Sequence, residues 1–333
     1  MIKKLEIKNF KSLKHLKLDC KRVNIFIGKP NTGKSNILES VGIFSLPYTS
    51  IRDSNMWDLK DLIRFENMTN LFYDQNTGEK IKITIDGIFC EIEFENGTFR
   101  GIMVDKTREI FRFSWDYSGK MDALSKPSTH PLLAPPFKFY RFAVKEKFTS
   151  YESNFLLPPS GENLLQVLLV NKALRKVTAD IFSEYGLSFV LKPREMKLEL
   201  QKRVEEGVII SYPYSLTSDT LQRVVFYLAA IETNKGSVLI FEEPEAHAFP
   251  YYTKFLAERI AFDKVNQYFI STHNPYFLLS VLEKAPKEDV GIFITYFENY
   301  ETRVKALTDG DMTKVLDLDT SVFFNLDQFL EKE

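Results

Sequence analysis

A short apolar run, "RVNIFI" (22–27), leads directly into "GKPNTGKSN" (28–36), and "KSNILESVGIF" (34–44) follows. Strand, glycine-rich turn and helix in that order constrain the chain more than any other stretch. The pattern predicts a buried strand, then a helix with Ile37, Leu38, Val41 and Phe44 on one face. A turn between them aims its backbone N–H groups and the helix N-terminus at one point, where an anion is favoured.

The turn fits G-x-x-x-x-G-K-(S/T), and each position has a chemical reason. Gly28 and Gly33 let the backbone curl so that the amides of the arc Lys29, Pro30, Asn31 and Thr32 wrap a phosphate, Pro30 itself having no N–H. Lys34 supplies a point charge for the β- and γ-phosphates, and Ser35 a hydroxyl for Mg²⁺. Asn36 closes the segment. Residues 28–36 are therefore expected to bind a nucleotide. The guanine-reading Asn-Lys-x-Asp of a GTPase is missing, because "NKAL" and "NKGS" lack the aspartate.

A second apolar run, "VLIF" (238–241), reads as a strand buried on both sides and ends in "EEPEAH". Glu242 is placed to hold Mg²⁺, and Glu243 to orient and polarise an attacking water. Thirty residues beyond Glu243, "YFISTHNP" ends another strand with His273. A lone strand-end histidine is more often structural, but its place after the next strand favours a contact with the γ-phosphate and the attacking water. Lys34, Glu243 and His273 are thus the expected catalytic residues.

Elsewhere the pattern is coarser. Residues 51–80 are mixed, 81–104 alternate as a β-meander with an Asn-Gly turn at 96–97, and 124–137 form a proline-rich loop. Helical periodicity returns at 161–182, then strands at 187–192 and 197–211, and helices at 218–232 and 251–262. A strand at 267–271 and a hairpin at 290–306 complete the reading. No heptad pattern is sustained.

Basic and acidic residues nearly cancel, 44 against 45, so whole-molecule charge argues neither for nor against nucleic acid. Residues 1–34 carry ten Lys or Arg against Glu6 and Asp19. Their period-two setting reads as the solvated face of a hairpin, with a DNA-facing surface as the minority reading. Cys20 and Cys90 alone exclude a disulfide framework or zinc site. The opening lacks a signal-peptide core and "VVFYLAAI" is too short to span a bilayer, so a cytoplasmic protein with no membrane partner is expected.

The motifs together resemble the ATP-binding-cassette (ABC) type of P-loop ATPase, in the branch of RecF, SMC heads and OLD-like (overcoming lysogenization defect) AAA ATPases. The resemblance lies in "IKKLEIKNFKSLKHLKL", "VNIFIGKPNTGKSNILES", "LIFEEPEAHAFP" and "STHNP". It implies an α/β P-loop NTPase fold with a mixed sheet, as one domain over 1–333 with a meander and helical segment inserted at about 51–210. It also implies ATP and Mg²⁺ as cofactors and hydrolysis to ADP and phosphate. An ATP-dependent homodimer acting on DNA or an effector protein, in repair or defence, follows from the same likeness. The sequence shows no adenine contact and no equivalent of the family's glutamine loop, Arg64 and Asn67 being the nearest residues to one.

The family's Ser-x-Gly signature, which reaches the partner's γ-phosphate, corresponds to "LTSDTLQR", 24 residues before Glu242. Thr217 and Ser218 are its candidate contacts. The glycine is missing and Asp219 stands at the helix start, where an aspartate aimed at phosphate repels it. Alternatively Ser218 caps the helix and Asp219 offsets its dipole. The altered signature keeps open a nucleotide-gated scaffold with little or no turnover. Sixty residues follow His273, so the C-terminal Toprim nuclease of the OLD family proper is expected to be missing.

Overall fold

Alternating apolar and charged residues build the first two strands of the computed structural model, which describes residues 1–49, 59–106, 108–124, 136–150 and 153–330. β1 (Lys4–Phe10) turns Leu5, Ile7 and Phe10 inward, and β2 (Leu13–Asp19) does so with Leu13, Leu16 and Leu18. β3 (Val23–Gly28) is buried at every position. α1 (Lys34–Gly42) and the single turn α2 (Leu46–Thr49) follow it.

The meander comprises β4 (Ile81–Ile85), β5 (Ile88–Glu95), β6 (Thr98–Asp105), β7 (Arg108–Trp115) and β8 (Met121–Leu124). Asn96 and Gly97 have φ of 51° and 80°, as the two-residue hairpin turn requires. β7 and β8 extend the meander past the stretch legible in sequence, because a register shift at Met103/Val104 breaks the alternation there. β4 pairs with β1, so the hairpin and meander form one seven-stranded sheet, β2-β1-β4-β5-β6-β7-β8.

β9 (Phe137–Tyr140) comes next, buried throughout. The helical stretch at 161–182 divides into α3 (Leu164–Val170) and α4 (Lys172–Ser183). Asn171 makes the break, its side-chain oxygen accepting from the Leu174 N–H at 3.0 Å. β10 (Ser188–Lys192), β11 (Lys197–Glu205) and β12 (Val208–Pro213) form a three-stranded antiparallel sheet. The chain continues through α5 (Asp219–Thr233), β13 (Val238–Glu242), α6 (Pro250–Phe262), β14 (Gln267–Ser271) and α7 (Pro275–Lys284). The hairpin β15 (Val290–Glu298) and β16 (Glu301–Ala306), then α8 (Asp309–Leu318), come last. Of the proline-rich loop at 124–137, residues 125–135 lie outside the described residues, as do 50–58.

The central sheet runs β16-β15-β3-β14-β13-β9, parallel except for β16. Because β15 and β14 flank β3 on opposite sides, the strand order reverses at β3. Such a switch point opens a crevice beyond the carboxyl ends of the strands, where α/β sheets take ligands. Alternate residues of β3 serve two cores: Ile25 and Ile27 pack with α5, α6 and α7, whereas Phe26 packs with α1 and the seven-stranded sheet. Phe26 stacks on Phe293 at 5.1 Å, and full burial of such a ring contributes roughly 1.5–3 kcal/mol. Within 51–210, the stretch expected as an insertion, β4 joins β1 and β9 joins β13.

Three of the ten basic residues of 1–34 turn inward and do not belong to a solvated face. Arg22 is buried and donates to the carbonyls of Ile260, Ala261 and Asp263 at the end of α6, where a cation offsets the helix dipole. Lys11 pairs with the buried Glu39, and Lys34 lies in the loop of its own motif. Among the described residues no helix is long and apolar enough to cross a membrane.

Candidate nucleotide site

The loop 28–36 sits at the carboxyl end of β3, and its two glycines are required by space as well as by backbone. Gly28 (φ 151°) and Gly33 (φ 94°) lie in the positive-φ region. A Cβ on Gly28 would stand 2.4 Å from the Thr295 carbonyl oxygen, and one on Gly33 would stand 2.1 Å from Thr302 Oγ1. The hairpin β15–β16 therefore forms the floor of the loop. Thr32 Oγ1 donates to the Lys29 carbonyl at 2.8 Å and shares a hydrogen bond with Thr295 Oγ1 at 2.6 Å. Sequence reasoning missed Thr295 and Thr302, although a threonine inside the apolar run "GIFITYF" was a visible signal.

Lys34 Nζ is buried and donates to the carbonyls of Gly28 and Lys29, both at 2.8 Å. Burial lowers its pKa to about 8, an effect that the nearby Glu243 carboxylate opposes. α1 starts at Lys34 with Gly33 as its N-cap, no side-chain cap and no acid in its first turn. Its leading N–H groups and positive end thus face the loop. Pro30 and Asn31 are exposed on the arc, and Asn31 is left-handed at φ 60°. Lys29 Nζ pairs with Asp327 at 2.8 Å. Ser35 is half-buried at the helix start, and Asn36 Nδ2 donates to Ser12 Oγ at 2.7 Å.

β13 and β14 end level with each other, Glu242 in register with Ser271. Glu243 then takes a left-handed φ of 45°, a conformation that costs on the order of 1–3 kcal/mol in a non-glycine residue. Its N–H donates to the Ser271 carbonyl at 3.0 Å, and its Oε1 lies 3.5 Å from His273 Nε2. Partial burial lowers the His273 pKa, the Lys34 charge lowers it further, and Glu243 opposes both. The structure thus brings Lys34, Glu243 and His273 into one electrostatic cluster.

Glu245, the third acid of "EEPEAH", is buried beneath them. Burial raises its pKa to about 7. Thr272 Oγ1 donates to Glu245 and accepts from the Asn274 N–H at 3.0 Å, which fixes the segment carrying His273.

Glu242 is held by two guanidinium groups: its Oε2 lies 2.5 Å from Arg64 Nη2 and 3.4 Å from Arg141 Nη2. Behind them Glu39, only 1% exposed, accepts from Lys11 Nζ and from the Arg64 N–H, the latter at 3.1 Å. Arg141 had no motif to announce it.

A magnesium ion needs few protein ligands beyond substrate phosphates and water. The Ser35 hydroxyl and the Glu242 carboxylate are oxygen donors of that kind. Among the described residues there is no group of three or more His, Cys, Asp or Glu suited to hold a metal unaided. Ser271 Oγ and Glu245 Oε2 are buried without hydrogen-bond partners among the described residues, in the segments next to Glu242. This donor set fits magnesium bound together with a nucleotide.

The segment 217–219 is not joined to this cluster by any of these contacts. Thr217 Oγ1 donates to the Tyr214 carbonyl at 2.8 Å. Ser218 occupies the N-cap position of α5, but its side chain makes no cap bond, which corrects the capping expectation. Gln222 ties the helix entry instead, its Nε2 donating to the Thr217 carbonyl at 2.9 Å. Asp219 lies along its own helix, 2.7 Å from Arg223. Thr220 Oγ1 donates to the His247 carbonyl at 2.7 Å, linking α5 to the acidic loop.

Residues 1–107 match a family described as the AAA ATPase domain. An "ATP/GTP phosphatase" of Helicobacter pylori (strain ATCC 700392 / 26695) is 38% identical over 342 residues, covering 86% of this chain and 89% of that protein. The Smc head domain with an extended coiled coil, bound to the C-terminal domain of ScpA and derived from Pyrococcus furiosus, is 14% identical. It superimposes with a TM-score of 0.53 over 95% of this chain and 98% of that one, which shows that the two share a fold. A relative that similar along most of both chains, together with the family match over the phosphate loop, establishes that this chain belongs to the AAA ATPase family and is a P-loop ATPase.

Proposed function

We propose that this enzyme hydrolyses ATP to ADP and phosphate as an OLD-like, RecF-like ATPase, and that two copies close around the nucleotide. Residues 28–36 cradle the phosphates. Lys34 neutralises charge on the transferring phosphoryl group once phosphate oxygens replace the loop carbonyls it now contacts. Glu243 accepts the proton of the attacking water, and His273 holds that water and the γ-phosphate in line. Ser35 and Glu242 hold Mg²⁺, which supplies charge neutralisation to the phosphates. The observation that carries this reading is the convergence of Lys34, Glu243 and His273 at the ends of β3, β13 and β14. Glu243 also has the strained backbone expected where function overrides local preference.

Thr217 and Ser218 complete the partner's site in trans. The chain acts as one domain over 1–333 with the segment 51–210 as its insertion, in the cytoplasm, on DNA or an effector protein in repair or defence. Asp219 at the signature position favours a second reading, slow turnover in a nucleotide-gated scaffold. Multiple-turnover phosphate release with and without DNA tests both. Turnover stimulated by DNA supports the first, and single-turnover behaviour both with and without DNA supports the second.

A further inference from the structure

Arg64 and Arg141 both contact Glu242 Oε2, yet they are anchored very differently. The Arg64 side chain is 62% exposed, whereas its backbone is fixed: its N–H donates to Glu39 Oε1, and its carbonyl accepts from Lys11 Nζ at 2.6 Å. Arg141 is less exposed and its guanidinium has other partners. It donates to the carbonyls of Asp61 at 3.3 Å and Leu62 at 3.5 Å, lies 3.8 Å from Glu39, and sits over the Phe139 ring. One arginine reaches Glu242 as an exposed side chain on a fixed backbone; the other is held by several further partners.

We propose that Arg64 is a displaceable counter-ion of Glu242, holding the carboxylate oxygen that a divalent cation takes, and that Arg141 is a positioning residue that stays. This rests on the reading of Glu242 as a metal-holding carboxylate. A dication arriving at Glu242 is repelled most by the guanidinium nearest that oxygen, which is Arg64 at 2.5 Å and not Arg141 at 3.4 Å. The exposed partner departs because water solvates it at little cost, exposed ion pairs being weak. Arg141 keeps the carboxylate oriented because its carbonyl contacts and Glu39 hold it in place. The cation therefore binds poorly without the phosphates that add their own attraction, and its arrival frees Arg64 on the loop that precedes the meander.

The test uses Mn²⁺ as the probe, titrated against the full chain with and without a non-hydrolysable ATP analogue, free Mn²⁺ being read by electron paramagnetic resonance. Arg64→Ala and Arg64→Gln are expected to raise Mn²⁺ affinity in both titrations by about two- to fivefold, the size of an exposed ion pair. Arg141→Ala is expected to lower it, with partial rescue by Arg141→Lys, at thermal midpoints that show each variant folded. Wild-type Mn²⁺ affinity in both Arg64 variants, with affinity lost in Glu242→Gln, overturns the displacement and leaves the role of Glu242 intact. Glu242→Gln with unchanged Mn²⁺ binding overturns that role itself. A gain of affinity in Arg141→Ala makes Arg141 a second displaceable ion and overturns its positioning role.

Discussion

His273 Nε2 lies 3.5 Å from Glu243 Oε1, two side chains that follow neighbouring parallel strands at the carboxyl end of the sheet. Partial burial and the Lys34 charge lower the His273 pKa, which disfavours a charged imidazolium beside the carboxylate, as the proposed role of Glu243 as a base requires. Glu243→Gln is expected to keep ATP bound while slowing phosphate release by at least about a hundredfold. Release close to the wild-type rate would remove Glu243 from the chemistry.

Lys34→Ala is expected to leave the fold intact and weaken ATP binding ten- to a hundredfold, since each charge-assisted hydrogen bond is worth roughly 1.5–3 kcal/mol. Isothermal titration of the folded variant measures it, and wild-type affinity would refute the role of the loop.

Lys34 also predicts how binding depends on pH. Its free-state pKa is lowered to about 8, and bound phosphate favours the protonated amine. Below pH 8 the amine is already charged and affinity is flat. Above pH 8 affinity is expected to fall, by up to about tenfold per pH unit as one proton is taken up on binding. A flat profile from pH 7 to 9.5 contradicts this.

Glu245 predicts how stability depends on pH. Its folded pKa is raised from 4.5 to about 7 by burial. Below pH 4.5 the group is protonated in both states and contributes nothing. From pH 4.5 to 7 the unfolded chain ionises while the folded chain keeps its proton, so stability falls as pH rises, and above 7 the penalty stays. Glu245→Gln is expected to be more stable than wild type at pH 8, by at most about 3 kcal/mol, with the gain vanishing near pH 4. Thermal midpoints that run parallel across that range would contradict the assignment.

Asp219→Gly in the Glu243→Gln background is expected to tighten an ATP-dependent dimer, since it removes a carboxylate near the proposed trans phosphate contact. Analytical ultracentrifugation with and without ATP measures this. A weakened dimer would show that the Asp219–Arg223 pair supports the interface, and a monomer in both backgrounds would refute the trans contact of Thr217 and Ser218.

Much of the site was legible because its parts are local. The nine residues 28–36 carry their own turn, charge and helix start, and "VLIFEE" and "FISTH" each place a candidate side chain at a strand end. The central strands announced themselves as short apolar runs for the same reason, being covered on both faces. By contrast β9 was missed. Its four residues, "FKFY", are too few for a period, and only pairing with β13 makes them a strand.

By itself, then, the sequence determined the phosphate loop, the order of strand and helix around it, and the acids and histidine at the neighbouring strand ends, because contiguous residues encode these. Tertiary structure alone decided what surrounds them. Arg64 and Arg141 reach Glu242 from 178 and 101 residues away, and Thr295 lies 263 residues from the Thr32 it supports. Such contacts depend on which strands the sheet places side by side, and that order follows from packing the whole core, which no short stretch of sequence contains.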